Sequence, residues 1–162
     1  MGRIFVPQIL PGRGDRMRVR LDDPSLIRLG RLKKRAEFLA VAGTRRKWAQ
    51  PGVIVQLRRW DQAGTDAEAT AGCDLRVGYT ASRKVGNSVA RNRARRRLRA
   101  AAAEVLGRRA APGLDLVLIA RGETVRRPFA DLVADLDRAL QKLGAVRPAP
   151  EVGGAEAGGA AA

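Results

Sequence analysis

Between Leu75 and Ala103 the chain has no acidic residue, yet Arg76, Arg83, Lys84, Arg91, Arg93, Arg95, Arg96, Arg97 and Arg99 are all cationic. No other stretch limits the fold so strongly, because from Asn87 or Ser88 onward it reads as a helix with two unlike sides. At about 100° per residue, Ala90, Ala94, Leu98, Ala101 and Val105 line one narrow apolar stripe that can rest on a sheet. Arg91, Arg95 and Arg99 follow one another at i, i+4, i+8 beside the stripe, and Asn92 and Arg96 widen the polar arc. Like charges at that spacing cost an isolated helix about 0.2–0.5 kcal/mol each. With no acid nearby in sequence, these charges are expected to face solvent or an anion. Guanidinium groups suit an anion because their planar donors grip phosphate oxygens in pairs and stack on bases.

The whole-chain charge points the same way. Thirty-two Lys and Arg against 16 Asp and Glu give a net charge of +16 and a pI near 11.6 over 162 residues. Such an excess argues for a polyanionic partner, nucleic acid first and an anionic membrane second. The chain has no histidine and a single cysteine, Cys73. A Ser-His-Asp triad, a histidine general base, a histidine-containing zinc site and a multi-cysteine cluster are therefore excluded. Cys73 allows no intrachain disulfide, which fits a reducing cytoplasm. No apolar run approaches the roughly 20 residues that span a bilayer.

The remaining elements are read from periodicity. Residues 1–28 combine Pro, Gly and scattered charge and are expected to form a flexible extension. Residues 146–162, rich in Ala, Gly and Pro, form a second one with little apolar surface to offset ordering entropy. A single domain is expected over 29–145. Leu32, Ala36, Leu39 and Ala40 give a short first helix. Val53–Leu57 and Leu75–Thr80 read as strands, the second with Leu75, Val77 and Tyr79 on one face. Asp61–Gly72 reads as a loop between them. The basic helix starts at Asn87 or Ser88, either of which can cap it, and Gly107 suits its stop. Leu116–Ile119 is a buried strand, and Pro128 opens a last helix whose apolar face is Phe129, Leu132, Val133, Leu136, Leu140 and Leu143. Helices packed on a sheet make this an α+β sandwich. Trp48 and Trp60 fall at loop-like positions with no assigned role.

The run from Arg83 through Lys84, Gly86, Asn87, Arg91, Asn92 and Arg93, continued by Arg95, Arg96 and Arg99, resembles the RNR motif of the protein component of bacterial ribonuclease P. Arg31–Lys34 with Phe38, Arg76–Thr80 and Leu116–Arg121 resemble its flanks, so the likeness covers about residues 29–143. It implies an α-β-β-β-α-β-α domain like domain 2 of ribosomal protein S5, with a left-handed β-α-β crossover around the basic helix. It also implies an accessory subunit rather than a catalyst. The partner RNA holds Mg2+ and removes the 5′ leader of precursor tRNA, while the protein binds the leader and favours productive metal and substrate binding. No catalytic or metal-ligating residue, no membrane and no obligate protein partner is implied.

The resemblance sorts the site residues into two groups. Arg83, Lys84, Asn87, Arg91, Asn92, Arg93, Arg95, Arg96 and Arg99 are expected to meet the catalytic RNA. Lys34, Arg35 and Phe38 are expected to form the cleft for the single-stranded leader. Where relatives often carry further bulky or aromatic residues, this chain has Ala42 and Gln56, which leaves the cleft less stacking surface. Two rival readings are a ribosomal or RNA-assembly protein using the same helix, and a self-sufficient metal-dependent nuclease. The second needs convergent carboxylates, and Asp61, Asp66, Glu68, Asp74, Glu104, Asp115 and Glu123 show no such spacing.

Overall fold

In the computed structural model, residues 27–62 and 67–147 are described. The two expected extensions lie outside them, apart from Ile27, Arg28, Val146 and Arg147. Ile27 and Val146 pack on the main core.

Five strands form one mixed sheet in the order β1-β4-β5-β3-β2. These are β1 (Leu29–Arg31), β2 (Lys47–Ala49), β3 (Val53–Arg59), β4 (Leu75–Thr80) and β5 (Leu114–Ala120). The helices are α1 (Arg35–Gly43), the single turn α2 (Ala67–Thr70), α3 (Ser88–Arg109) and α4 (Phe129–Leu143). From α1 onward, leaving aside the single turn α2, the order is the expected α-β-β-β-α-β-α. The edge strand β1 is an addition, and it runs parallel to β4. β4 and β5 are parallel neighbours joined through α3.

Alternation divides the sheet into two faces. Val53, Val55, Leu57, Leu75, Val77, Leu116 and Leu118 point to one side, where they pack with Leu98, Val105, Leu132, Leu136 and Leu140 of α3 and α4. Leu32, Val41 and Val117 make a smaller cluster on the other side, with Phe38 and Ile119 against it. The sheet is thus sandwiched between an α3/α4 layer and α1 alone.

Three local expectations change. The inward face of α1 is Phe38 and Val41, while Leu39 is 59% exposed and Leu32 precedes the helix. The larger side chains decide the helix rotation, and the alanines that completed the other stripe contribute little. Likewise α3 runs through Gly107 to Arg109. The Gly107 carbonyl accepts Ile27 N–H at 3.0 Å, so the chain entering the domain packs where a stop was expected. Finally, Arg31–Lys34 do not begin the first helix. Arg31 ends β1, and the helix starts at Arg35.

Candidate nucleic-acid interface

The entry to α3 is built by a 3-10 turn, Arg83–Val85, followed by Gly86 at φ 141°. That backbone conformation favours glycine, and a Cβ there would also lie 3.0 Å from Ala90 Cβ. Asn87 then caps the helix, its Oδ1 accepting Ala90 N–H at 2.9 Å. The first turn contains no acid. Exposed Arg83 and Lys84 therefore add positive charge beside the positive end of the helix dipole, an arrangement that an anion relieves.

Along the helix, Asn92, Arg93, Arg96 and Arg99 are exposed, and Arg91 and Arg95 are half-buried. Arg95 Nη1 donates to Asn92 Oδ1 at 3.2 Å. The Arg99 guanidinium sits over the Tyr79 ring, 5.5 Å from its centroid. Burial pushes the Tyr79 phenol up to about 12, with Arg99 and Arg31 pulling it back. Arg91 Nε is buried with no hydrogen-bond partner. Among the described residues, no carboxylate forms an ion pair with Arg83, Lys84, Arg91, Arg93, Arg95, Arg96 or Arg99.

Two cations of the acid-free stretch do not belong to this face, which corrects the expectation that all of them meet solvent or a bound anion. Arg97 turns back and donates to the carbonyls of Val125 and Arg127, fastening α3 to the segment before α4. Arg76 is buried on the α1 side of the sheet, paired with Asp115 at 2.7 Å and Glu37 at 2.8 Å. Both partners lie 39 positions away in sequence. The acid-free window therefore gave no sign of them.

The opposite face holds the candidate cleft. Register aligns Arg58, Asp115 and Arg76 in one row across β3, β5 and β4, then Gln56, Val117 and Gly78, then Ile54, Ile119 and Thr80. Phe38 covers the middle row. A Cβ on Gly78 would lie 2.7 Å from Phe38 Cζ and 3.2 Å from Leu32 Cδ1, so glycine lets the ring sit directly on the strand. Gln56, Ile54, Ile119 and Thr80 remain half-exposed as a floor beyond Phe38, running toward the β4 end that leads to Arg83 and Lys84. Lys34 and Arg35 are exposed at the start of α1. Lys34 opens instead onto a hollow of about 700 Å³ at the β1 edge, shared with Arg31, Lys33, Glu37, Cys73 and Arg76, and Phe38 is not among its walls. The three leader-cleft candidates share one turn of helix but do not line one pocket.

Glu37 fixes that turn. Its Oε2 accepts the N–H groups of Lys33 and Lys34 at 2.8 and 2.9 Å. Burial raises its carboxyl, but those two bonds and Arg76 outweigh it and hold the group below its ordinary value. Trp60, unassigned from sequence, donates its indole N–H to Asp115 Oδ1 at 2.8 Å and so belongs to the same buried network. Among the described residues, no three Asp, Glu, Cys or His side chains cluster to hold a metal ion. None of the described helices is long and apolar enough to cross a membrane.

Comparison with known proteins places this geometry in a family. The ribonuclease P family model matches residues 26–144. The ribonuclease P protein component of Paramagnetospirillum magneticum is 56% identical over 120 residues, covering 74% of this chain and 86% of that protein. That of Ruegeria pomeroyi is 52% identical over 118 residues, covering 72% and 88%. The fold is similar to that of the Staphylococcus aureus RNase P protein, with TM-score 0.56 and 21% identity over 72% of this chain and 97% of that one. It is also similar to the Thermotoga maritima RNase P protein, with TM-score 0.54 and 25% identity over 69% and 96%. The chain belongs to the ribonuclease P protein component family.

Proposed function

We propose that this protein is the RNA-binding subunit of ribonuclease P, with α3 seated on the catalytic RNA and the α1 side of the sheet receiving the precursor tRNA leader. One observation carries the reading: Arg91, Arg93, Arg95, Arg96 and Arg99 crowd one helix with no ion-paired carboxylate among the described residues. RNA phosphates remove the mutual repulsion and release counterions from the nucleic acid. Lys84 and Arg83 extend the same charge to the helix entrance, and Asn92, held by Arg95, adds a hydrogen-bonding group.

The leader is taken on the face opposite α3. Phe38 offers its ring and the Ile54–Ile119 floor offers apolar contact to bases, while Lys34 and Arg35 neutralise phosphates beside α1. The protein binds and positions; the bond is cut by the RNA, which holds Mg2+. The work takes place in the cytoplasm, where precursor tRNA is made.

The test is reconstitution. Protein freed of RNA should leave precursor tRNA intact, and the same protein added to the catalytic RNA should restore 5′ cleavage at low magnesium. Cleavage at the mature 5′ end by the RNA-free protein would overturn the assignment, as would failure to stimulate the RNA.

A further inference from the structure

We infer that Trp48, with the Lys142 ammonium over one face of its ring, is a second contact for the catalytic RNA, a stacking platform for an unpaired nucleotide that is separate from the basic helix. The inference rests on the subunit reading above and extends it to the far edge of the sheet.

Trp48 is the middle residue of β2, the strand that ends the sheet on the side away from β1. It is 40% exposed, a costly placement for the largest apolar side chain. Its ring is not idle: Lys142 Nζ lies 5.9 Å from the ring centroid. Arg46, two residues earlier, reaches under the same corner and donates Nη2 to the Leu143 carbonyl at 3.2 Å. Arg138 stands exposed one turn before Lys142 on α4. The neighbouring acid on α4, Asp137, is engaged elsewhere, 2.9 Å from Arg109 and bonded to Gln141 at 2.8 Å. An exposed indole with cations around it, and the adjacent carboxylate turned to another partner, is the combination that takes a base on the ring and its phosphate on the amines.

The direction of the ring selects the partner. Trp48 is in register with Val55, whose side chain is buried in the α3/α4 core. Trp48 therefore lies on the α3/α4 side of the sheet, the side of the basic helix, and not on the α1 side where the leader is expected. The occupant is an unpaired nucleotide of the catalytic RNA.

The experiment uses the full chain with the catalytic RNA. Trp48→Ala should weaken RNA affinity by about 5- to 100-fold, and Trp48→Phe by much less because it keeps a π-face. The chain has two tryptophans, so Trp48→Phe leaves Trp60 as the fluorescence baseline. Catalytic RNA should shield Trp48 from acrylamide quenching, and precursor tRNA alone should not. Unchanged quenching of Trp48 in the complex overturns the inference even where Trp48→Ala fails to fold. Shielding by precursor tRNA alone also overturns it. If Arg95→Ala weakens RNA binding while Trp48→Ala stays within about twofold of wild type, this inference fails and the subunit reading stands. If wild type shows no preference for the catalytic RNA over a control RNA, both fail.

Discussion

Arg76 on β4 grips Asp115 on β5 through two hydrogen bonds, Nε to Oδ1 at 2.8 Å and Nη2 to Oδ2 at 2.7 Å, and both residues are buried. The third arm, Nη1, donates to Glu37 Oε1 on α1 at 2.8 Å. One guanidinium thus ties the sheet to the helix that carries Phe38. Hydrogen bonding to Asp115 raises the Arg76 pKa above its ordinary value, against the cost of burial.

Arg76→Ala should therefore cost about 3–5 kcal/mol, since it leaves the Asp115 carboxylate buried without its main partner. The double variant Arg76→Met with Asp115→Leu should recover much of that loss. Recovery stays incomplete because the Trp60 indole N–H then lacks its acceptor. Urea unfolding measures both. A single-variant loss below about 1 kcal/mol would mean that the pair contributes little to stability.

Gly78→Ala should cost about 1–3 kcal/mol through overpacking. The new methyl would meet the Phe38 ring at 2.7 Å or less and Leu32 Cδ1 at 3.2 Å, so the ring must shift to admit it. Combining it with Phe38→Ala should remove the clash, so the two losses should not add. Additive losses in a double-mutant cycle would show that Phe38 and Gly78 do not press on each other in solution.

What the sequence disclosed follows from the range of the interactions. The α3 stripe through Ala94, Leu98, Ala101 and Val105 was legible because helix period is a local property, and all four are buried. The β3, β4 and β5 strands were legible for the same reason. Arg76 looked like a surface cation because Glu37 and Asp115 are distant in sequence and approach only when α1 folds onto the sheet. β1 and β2 have three residues each, too few for a period to register. Trp60 read as a loop residue because its indole bond to Asp115 spans 55 positions of sequence. The excess of arginine on α3 was legible from sequence; that Arg97 fastens α3 to the segment before α4, and Arg76 the sheet to α1, was not.

Tyr79 gives a direct pH readout, because it is the only tyrosine in the chain. Burial pushes it up to about 12, so the folded state favours the neutral phenol. Its contribution to stability is then complete below about 10, the value expected in the unfolded chain, and is lost as pH rises toward 12. Phenolate absorbance, followed with circular dichroism, should show ionisation well above 10 in the folded protein. Arg99→Met keeps the ring covered and removes the pull of the charge, so it should move the titration higher still. Ionisation near 10 with the fold intact would place the phenol in solvent.

Arg91, Arg95 and Arg99 lie along one arc of α3. If each neutralises one phosphate, replacing any one by Ala should reduce the magnitude of the log K versus log salt slope by roughly 0.7 to 0.9. Arg97→Ala should behave differently. Its guanidinium is committed to the Val125 and Arg127 carbonyls, so it should lower stability and leave the slope nearly unchanged in the folded fraction. Equal slope changes for Arg97 and its neighbours would mean that the RNA face extends to that side of the helix.

Phe38 tests the leader cleft. It packs against Leu32 and Gly78 on one side and stands at the border of the half-exposed Gln56, Ile54 and Ile119 floor on the other. Phe38→Leu keeps most of the apolar volume and removes the planar ring. It therefore separates stacking on a base from packing on the strand, which Phe38→Ala would confound. A base stacked on an aromatic ring contributes about 1–3 kcal/mol, and the absence of further rings at Ala42 and Gln56 favours the lower end. The holoenzyme with Phe38→Leu should bind leader-bearing precursor tRNA about 5- to 10-fold more weakly at that lower end, and mature tRNA nearly as well as before. The two affinities are compared at one salt and one magnesium concentration, after a melting curve establishes that the variant is folded. Equal losses for both RNAs would assign Phe38 to the core and move the leader off this face.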